Sequence, residues 1–279
     1  MCLSIVMICT VTRVSARSPG PDTALQTTIR PWFHTTIMSS VATATPANTA
    51  YGWMLQPANA RAIEPVLAIA GLQYTSGTLR ARIGLQAGTF VEANYLGPDA
   101  PLRLLHEAWA DIQLFDDLSL KAGVFPSHIG NESMISSECR TLTRSLIADF
   151  TPYYESGVVL TWTRGIVSLS ALALNGWQRI VDDNGHPAFA TNVQGRYGVA
   201  DRISLAARAE YVNDPQNILF PLVGGSSVFS WSAGIDVQAQ TAVKFRGEVR
   251  HFTSEAQLWK GNTDGDNIVV TLGMSVDLE

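Results

Sequence analysis

Lys244, Arg246, Glu248 and Arg250 share one parity of a short stretch, and Val243, Phe245 and Val249 share the other. A two-residue spacing is the period of a β-strand, whose successive side chains point to opposite faces, so the four charges project to one side. An ionised group taken out of water costs several kcal/mol even after relaxation, and this face must therefore look into a wet space or the solvent. Charges arranged this way make and break no bonds. They order water and sort passing solutes and ions by size and sign, as charged rings do in channels.

The same parity, followed along the chain, gathers more of them. Arg80, Arg82, Lys121, Arg196 and Arg208 join the three basic residues already named, against Glu107, Asp111, Glu155, Glu210, Asp236, Glu248 and Asp277. These residues are the expected pore lining, mixed in charge and with no strong preference for either ion sign by count. A second group, Glu132, Glu138, Arg140, Arg144 and Asp149, lies in the long connection 129–153. A connection of that length is more often functional than idle. Folded inward it would constrict a pore; folded over the mouth it would act as a lid; held by its own salt bridges it would be an ordered external loop.

Other residue types offer less. Cys2 and Cys9 lie at the extreme N-terminus and leave Cys139 alone in the body of the chain, so neither a disulfide framework nor a metal cluster is expected, and a lone thiol without an activating environment is inert. The glycines of Val223 to Ser227 lack a strand-to-helix context for a phosphate cradle. Asn262 to Asn267 resembles a calcium loop but lacks the final bidentate Glu at the required spacing. His251, on the outward parity, raises lipid hydrolysis as an alternative, yet nothing in the sequence places a Ser beside it; His128, at the start of a loop, is expected to make a structural hydrogen bond, and triads are recognised by geometry. The expectation is a protein with no catalytic residue, no metal and no cofactor.

The elements that position these charges follow from the same period. From about residue 60, segments of about ten residues alternate small or apolar with polar positions, separated by turn signals. Leu104, His106, Ala108, Ala110, Ile112 and Leu114 oppose Leu105, Glu107, Trp109, Asp111 and Gln113; Ile203, Leu205, Ala207, Ala209 and Tyr211 oppose Ser204, Ala206, Arg208 and Glu210. The strands fall near 27–36, 62–74, 78–90, 103–115, 118–128, 154–163, 166–175, 189–199, 202–212, 228–239, 242–252 and 267–278. Short connections (Thr75 to Gly77, Asp116-Asp117, Arg164-Gly165, Ala200-Asp201, Gln240-Thr241) alternate with long ones (about 37–61, 91–102, 129–153, 176–188, 213–227, 253–266). Short turns on one side and long loops on the other mark a transmembrane barrel, with the short turns periplasmic. Aromatic residues near strand ends, such as Tyr74, Trp162, Tyr197 and Tyr211, suit the two membrane interfaces. Hydrocarbon offers no partner to an unpaired N–H or C=O, so a spanning sheet must have no edge.

Composition closes off other classes. Hydrophobic residues make up 46% of the chain, yet no apolar run approaches the roughly 20 residues of a spanning helix. A net charge of −5 with no basic cluster gives no footprint for nucleic acid. A soluble β-sandwich would also alternate, but without so regular a rhythm of short and long connections. Residues 1–16, an apolar stretch ending in Val14-Ser15-Ala16, fit an export signal apart from a missing positive n-region; 17–26 would be a tail and 27–279 the barrel.

The middle of the chain resembles the OmpL-like family of β-barrel porins of Gram-negative outer membranes. The resemblance is carried by GVFPSHIGNES at 123–133, then Thr143-Arg144-Ser145 and Pro152-Tyr153-Tyr154-Glu155-Ser156-Gly157. Leu174 to Ile180, Ala207 to Tyr211 and Arg246 to Arg250 extend it over most of 60–278. It implies an integral outer-membrane barrel with channel activity and supplies no catalytic residue. Relative to that family the chain is shorter between Gln194 and Arg202, which implies a smaller barrel. It ends Val276-Asp277-Leu278-Glu279, without the terminal aromatic residue that assists barrel assembly, so less efficient assembly is expected.

The expected protein is an all-β, closed antiparallel barrel of about twelve strands in the bacterial outer membrane. It is a porin-like channel for passive diffusion of small hydrophilic solutes, constricted by 129–153. The alternatives are a plugged structural or adhesive barrel that binds partners through its loops, or an outer-membrane lipid hydrolase. Its partners are lipid and solute, not nucleic acid. It is a monomer or a homotrimer, the latter through the small outward residues Ala108, Ala110, Ala207 and Ala209.

Overall fold

The computed structural model describes residues 4–11, 27–44, 50–51, 54–94, 102–127, 132–149, 151–164, 167–174, 189–214, 226–254 and 265–278. The strands are β1 (Ser4–Val11), β2 (Thr28–Ala42), β3 (Ile63–Ser76), β4 (Leu79–Ala87), β5 (Leu105–Phe115), β6 (Leu118–Pro126) and β7 (Tyr154–Arg164). They continue with β8 (Val167–Leu174), β9 (Phe189–Ala200), β10 (Ile203–Asp214), β11 (Ser226–Gln240), β12 (Val243–Ser254) and β13 (Asp266–Leu278). Two short helices, α1 (Thr89–Asn94) and α2 (Leu146–Asp149), interrupt the pattern.

All thirteen strands form one antiparallel sheet in the order β1-β8-β7-β6-β5-β4-β3-β2-β13-β12-β11-β10-β9. The twelve expected strands are present, and short turns at 77–78, 116–117, 201–202 and 241–242 join β3 to β4, β5 to β6, β9 to β10 and β11 to β12. Two features differ from expectation. Residues 4–11, expected within an export signal, pair along the free edge of β8, from Ser4 opposite Leu174 to Val11 opposite Val167. The sheet then ends at β1 and β9, and among the described residues no pairing joins those ends.

Burial along the strands is the reverse of a soluble sandwich, which would hide its apolar parity. Leu85, Leu205, Phe245 and Leu272 are exposed on one parity, while Arg208, Glu210, Arg246, Glu248 and Arg250 are buried on the other. This inversion suits a sheet with hydrocarbon outside and polar contents inside.

Local departures have local causes. β4 stops at Ala87 because Gly88 takes a φ of +138°, a region that glycine enters without steric cost; the chain turns into α1, which buries Phe90 and Val91. The β4–β5 register shifts between Gly84 and Leu85, which leaves His106 unpaired opposite them. An extra residue of this kind re-aims its side chain. His106 therefore sits on the buried face beside Glu107, hydrogen-bonded to Gln86 at 3.1 Å, and not on the outward face that strict alternation assigns it. The alanine pairs expected to form one outer patch are separated, because Ala108 and Ala110 lie on β5 and Ala207 and Ala209 on β10, strands that are not neighbours.

Among the described residues, three connections cover the polar face of the sheet. Tyr51, Met54 and Ala60 pack with Leu146 of α2 against Val212, Val228 and Phe252. Phe90 and Val91 pack with Met134, Leu142 and Tyr153 against Trp32, Met38 and Leu67. The Trp32 ring lies across Gly71 and Gly84, where any Cβ would collide with it, and the Arg82 guanidinium stacks 3.8 Å from the ring centroid.

Candidate functional site

The charged parity of β10, β12 and β13 meets the segment 132–149 directly. Arg246 binds Asp236 through Nε at 2.8 Å and donates Nη2 to the carbonyls of Cys139 and Arg140 at 3.1 and 3.2 Å; its Nη1 donates to the Ser136 carbonyl. Arg208 donates Nη1 to the Thr143 carbonyl at 2.7 Å and to Thr141 Oγ1 at 2.8 Å, and Nη2 to Glu248 at 3.0 Å. The other Glu248 oxygen accepts the Thr143 N–H at 2.6 Å. Arg250 pairs with Glu210 and donates to the Arg144 carbonyl at 2.7 Å. Glu210 accepts the Leu146 N–H at 2.8 Å, and Lys244 Nζ donates to the Ser137 carbonyl at 2.9 Å.

Arginine suits this task because its planar fork presents five donors, enough to hold a wall carboxylate and a segment carbonyl at once. Arg208, Arg246 and Arg250 each have a carboxylate in contact, the condition under which burial of a charge is tolerable. The segment is thus fastened to the wall largely through its backbone, with Glu132, Ser136, Thr141 and Thr143 adding side-chain contacts to the same arginines.

The wall of β4 to β6 is organised differently. Arg80 reaches Asp111 at 2.7 Å with its side chain 56% exposed, Arg82 reaches Glu107 at 3.1 Å, and Lys121 Nζ lies 4.6 Å from the Trp109 ring centroid. Glu107 also accepts the Trp109 indole N–H at 2.6 Å. Glu155 accepts Ser127 Oγ–H at 3.3 Å. The same face then runs neutral through Ser119, Val159, Thr161, Ser170 and Leu172. Across the sheet, Arg196 binds Asp236 at 2.6 Å.

Within the segment, Glu138 and Arg140 are exposed, and Arg144 and Asp149 are buried. Glu132 is engaged by Arg208 at 3.3 Å and by the Ser145 N–H at 2.8 Å. Arg144 donates Nη2 to the Ala148 carbonyl at 2.9 Å and stacks 4.2 Å from the Tyr153 ring centroid. Burial pushes the Asp149 carboxyl up to about 6, against the opposing pull of Arg144 and the Leu55 N–H. Burial likewise pushes the Cys139 thiol up to about 11, in keeping with an inert cysteine.

Several participants escape the sequence reading. His34 Nδ1 lies 2.5 Å from Asp277 Oδ1 and His34 Nε2 lies 2.8 Å from Thr36 Oγ1, a carboxylate–imidazole–hydroxyl line like that of hydrolytic triads. Thr36 is 1% exposed and bonds Ser275 at 3.2 Å, so its hydroxyl has no approach for a substrate. The line works as a latch: Asp277 also accepts Ser137 Oγ–H at 3.1 Å and ties the segment to β13. The one advance sign of it was the even spacing of Trp32, His34 and Thr36. His251 pairs with Asp266 at 3.0 Å, not with a serine. His128, Trp177 and Asp264 lie outside the described residues. Among the described residues no group of three or more His, Cys, Asp or Glu could hold a metal ion, and no helix is long and apolar enough to cross a membrane.

Geometry and ancestry agree. The family model described as "Putative beta-barrel porin-2, OmpL-like" matches residues 58–196 and 188–278. The chain belongs to this family. The two matched segments of this OmpL-like porin meet within β9, at the end of the sheet. No curated protein matches it. Among solved structures it is similar to OccK9 (OpdG) of Pseudomonas aeruginosa, at 9% identity over 90% of this chain and 98% of that one, with a TM-score of 0.45. It is also similar to OmpT, an outer membrane protein of Vibrio cholerae, at 13% identity over 90% and 98%, with a TM-score of 0.39.

Proposed function

We propose that this OmpL-like porin is an integral outer-membrane channel for passive diffusion of small hydrophilic solutes, narrowed by the segment 132–149. The observation that carries the reading is the row Arg208, Arg246 and Arg250, whose side chains reach inward to the backbone carbonyls of that segment. A loop held so tightly on the polar face sets the bore of a barrel closed around it. In this reading residues 1–16 are removed on export, which frees the edge of β8 to pair with β9 and close twelve strands. Solutes pass between the inserted segment and the wall of β4 to β8, where Arg80, Arg82 and Lys121 face them over the buried carboxylates Asp111 and Glu107. The chain performs no catalytic step.

A plugged barrel is the second reading, favoured by the apolar packing of 51–60, α1 and 134–153 inside the sheet. Conductance of the refolded protein in a planar bilayer decides between them. Stable steps are expected, with a salt-gradient reversal potential that moves when Arg80 is replaced. A heat-modifiable barrel that stays silent would establish the plug. N-terminal sequencing of the exported protein tests removal of 1–16.

A further inference from the structure

A cavity of about 290 Å³ lies between the end of β6 and the inserted segment, lined among others by Ser127, Glu132, Ser133, Glu138, Arg144 and Tyr153. Its chemistry is uneven. Arg144 is 2% exposed, yet its Nε and Nη1 donors have no hydrogen-bond partner among the described residues. Buried donors in native proteins are nearly always met, by protein, by water or by a ligand, and leaving a charged one unmet is the costliest case.

The surrounding carboxylates do not meet this demand. Asp149 stands 3.8 Å from Nε, beyond hydrogen-bond reach, and accepts the Leu55 N–H at 3.2 Å instead. Glu132 is spent on Arg208 and Ser145. The Tyr153 ring covers one face of the guanidinium, so a ligand must arrive at its edge. Glu138 is exposed and adds a negative charge at the lining.

We propose that this cavity is a subsite for a small monocarboxylate, with Arg144 Nη1 as its anchor and Glu138 as the group that turns away a second negative charge. The site rests on the channel reading, and it names the solutes that dwell at the narrowing. At 290 Å³ the cavity falls at the small end of ligand pockets, a size for compact organic acids. The single guanidinium and the carboxylate beside it favour one anionic group over two.

The test is calorimetric titration of the detergent-refolded, full-length protein with benzoate and with succinate at constant ionic strength. Saturable benzoate binding is expected, with succinate weaker by tenfold or more. Arg144→Lys should weaken benzoate about tenfold, and Arg144→Gln should abolish its binding. Glu138→Gln, at an exposed position that leaves the fold intact, should raise succinate affinity severalfold while changing benzoate little. Absence of benzoate binding to the wild type overturns the proposal, as does undiminished binding to a folded Arg144→Gln. If the Arg144 variants do not fold, Glu138→Gln decides, and an unchanged succinate-to-benzoate ratio overturns it. Bilayer conductance in potassium chloride keeps the two readings apart: steps without benzoate binding sink the subsite alone, and binding without steps sinks the channel alone.

Discussion

Two stretches of the same polar face use the same residue types to opposite ends. On β10 to β13, Arg208, Arg246 and Arg250 have side chains at most 1% exposed, and their acceptors include carbonyls of a distant segment. On β4, Arg80 and Arg82 keep side chains 56% and 25% exposed and pair with carboxylates on the neighbouring strand β5. Charge in the first stretch works as adhesive and has no freedom left for solutes. The arginines of the second are held in place by buried carboxylates yet still face water. The mixed-charge face is therefore two surfaces, and in the proposed channel only the second is free to select what passes.

The largest effect should come from breaking the adhesive. Arg208→Ala would strand Glu132, Glu210 and Glu248, all of which it contacts. Breaking one partner of a buried ion network costs about 3–5 kcal/mol. Denaturant unfolding in detergent should show that loss, with protease cleavage appearing within 132–149. An unchanged midpoint would erase the distinction between the two stretches.

Acidity should act on the same fastening. Asp149 titrates at about 6 when docked, raised from 3.8, so docking binds a proton more readily than the free chain does. The associated stabilisation is present in full below 3.8 and is lost as pH rises through about 6. Its ceiling is about 3 kcal/mol at 1.36 kcal/mol per unit. Arg144, Arg250 and Glu132 face this carboxyl and remain in place in Asp149→Asn. That variant should flatten the pH dependence of protease protection between pH 4 and 7, and a dependence that survives it would assign the effect elsewhere.

The degree to which this was legible in the sequence follows the same division. On β12, Phe245 and Val249 face out and Arg246, Glu248 and Arg250 face in, and strict alternation was sufficient to read them. On β2 the inward parity mixes Trp32, His34, Thr36, Met38 and Ser40, because this wall meets an apolar filling in one place and a polar latch in another. The period blurs there, and the strand runs on to Ala42, past the 36 that the pattern supports. The shift at Gly84 that turns His106 inward depends on one unpaired residue, which no residue type marks. The inward fold of 132–149 was one of three readings, since carbonyl acceptors exist in every segment and only the three-dimensional match to the arginines selects this one.

Cys139 reports on the docked segment without disturbing it. With Cys2 and Cys9 changed to Ser, its thiol, buried and raised to about 11, should react with maleimide at pH 8 at least about a hundredfold more slowly than a free cysteine. Arg246→Gln, which removes the donor on the Cys139 carbonyl, should bring the rate towards that of the unfolded chain. Fast labelling of the parent protein would mean that the segment leaves the wall readily.

The smallest stability effect belongs to the open stretch, and it is the most informative about transport. Arg80→Gln removes a half-exposed partner of the buried Asp111 carboxylate, a single pair open to water on one side, so the unfolding midpoint should move less than in Arg208→Ala, which strands three buried carboxylates. The freed Asp111 carboxylate then faces the solute path with one fewer cation beside it. The reversal potential in a salt gradient should shift towards cation selectivity, whereas Arg208→Ala should alter conductance only as far as the segment moves. If Arg80→Gln left selectivity unchanged and Arg246→Gln shifted it with the segment still docked, the roles of the two walls would be exchanged, and the solute path would run along β10 to β13.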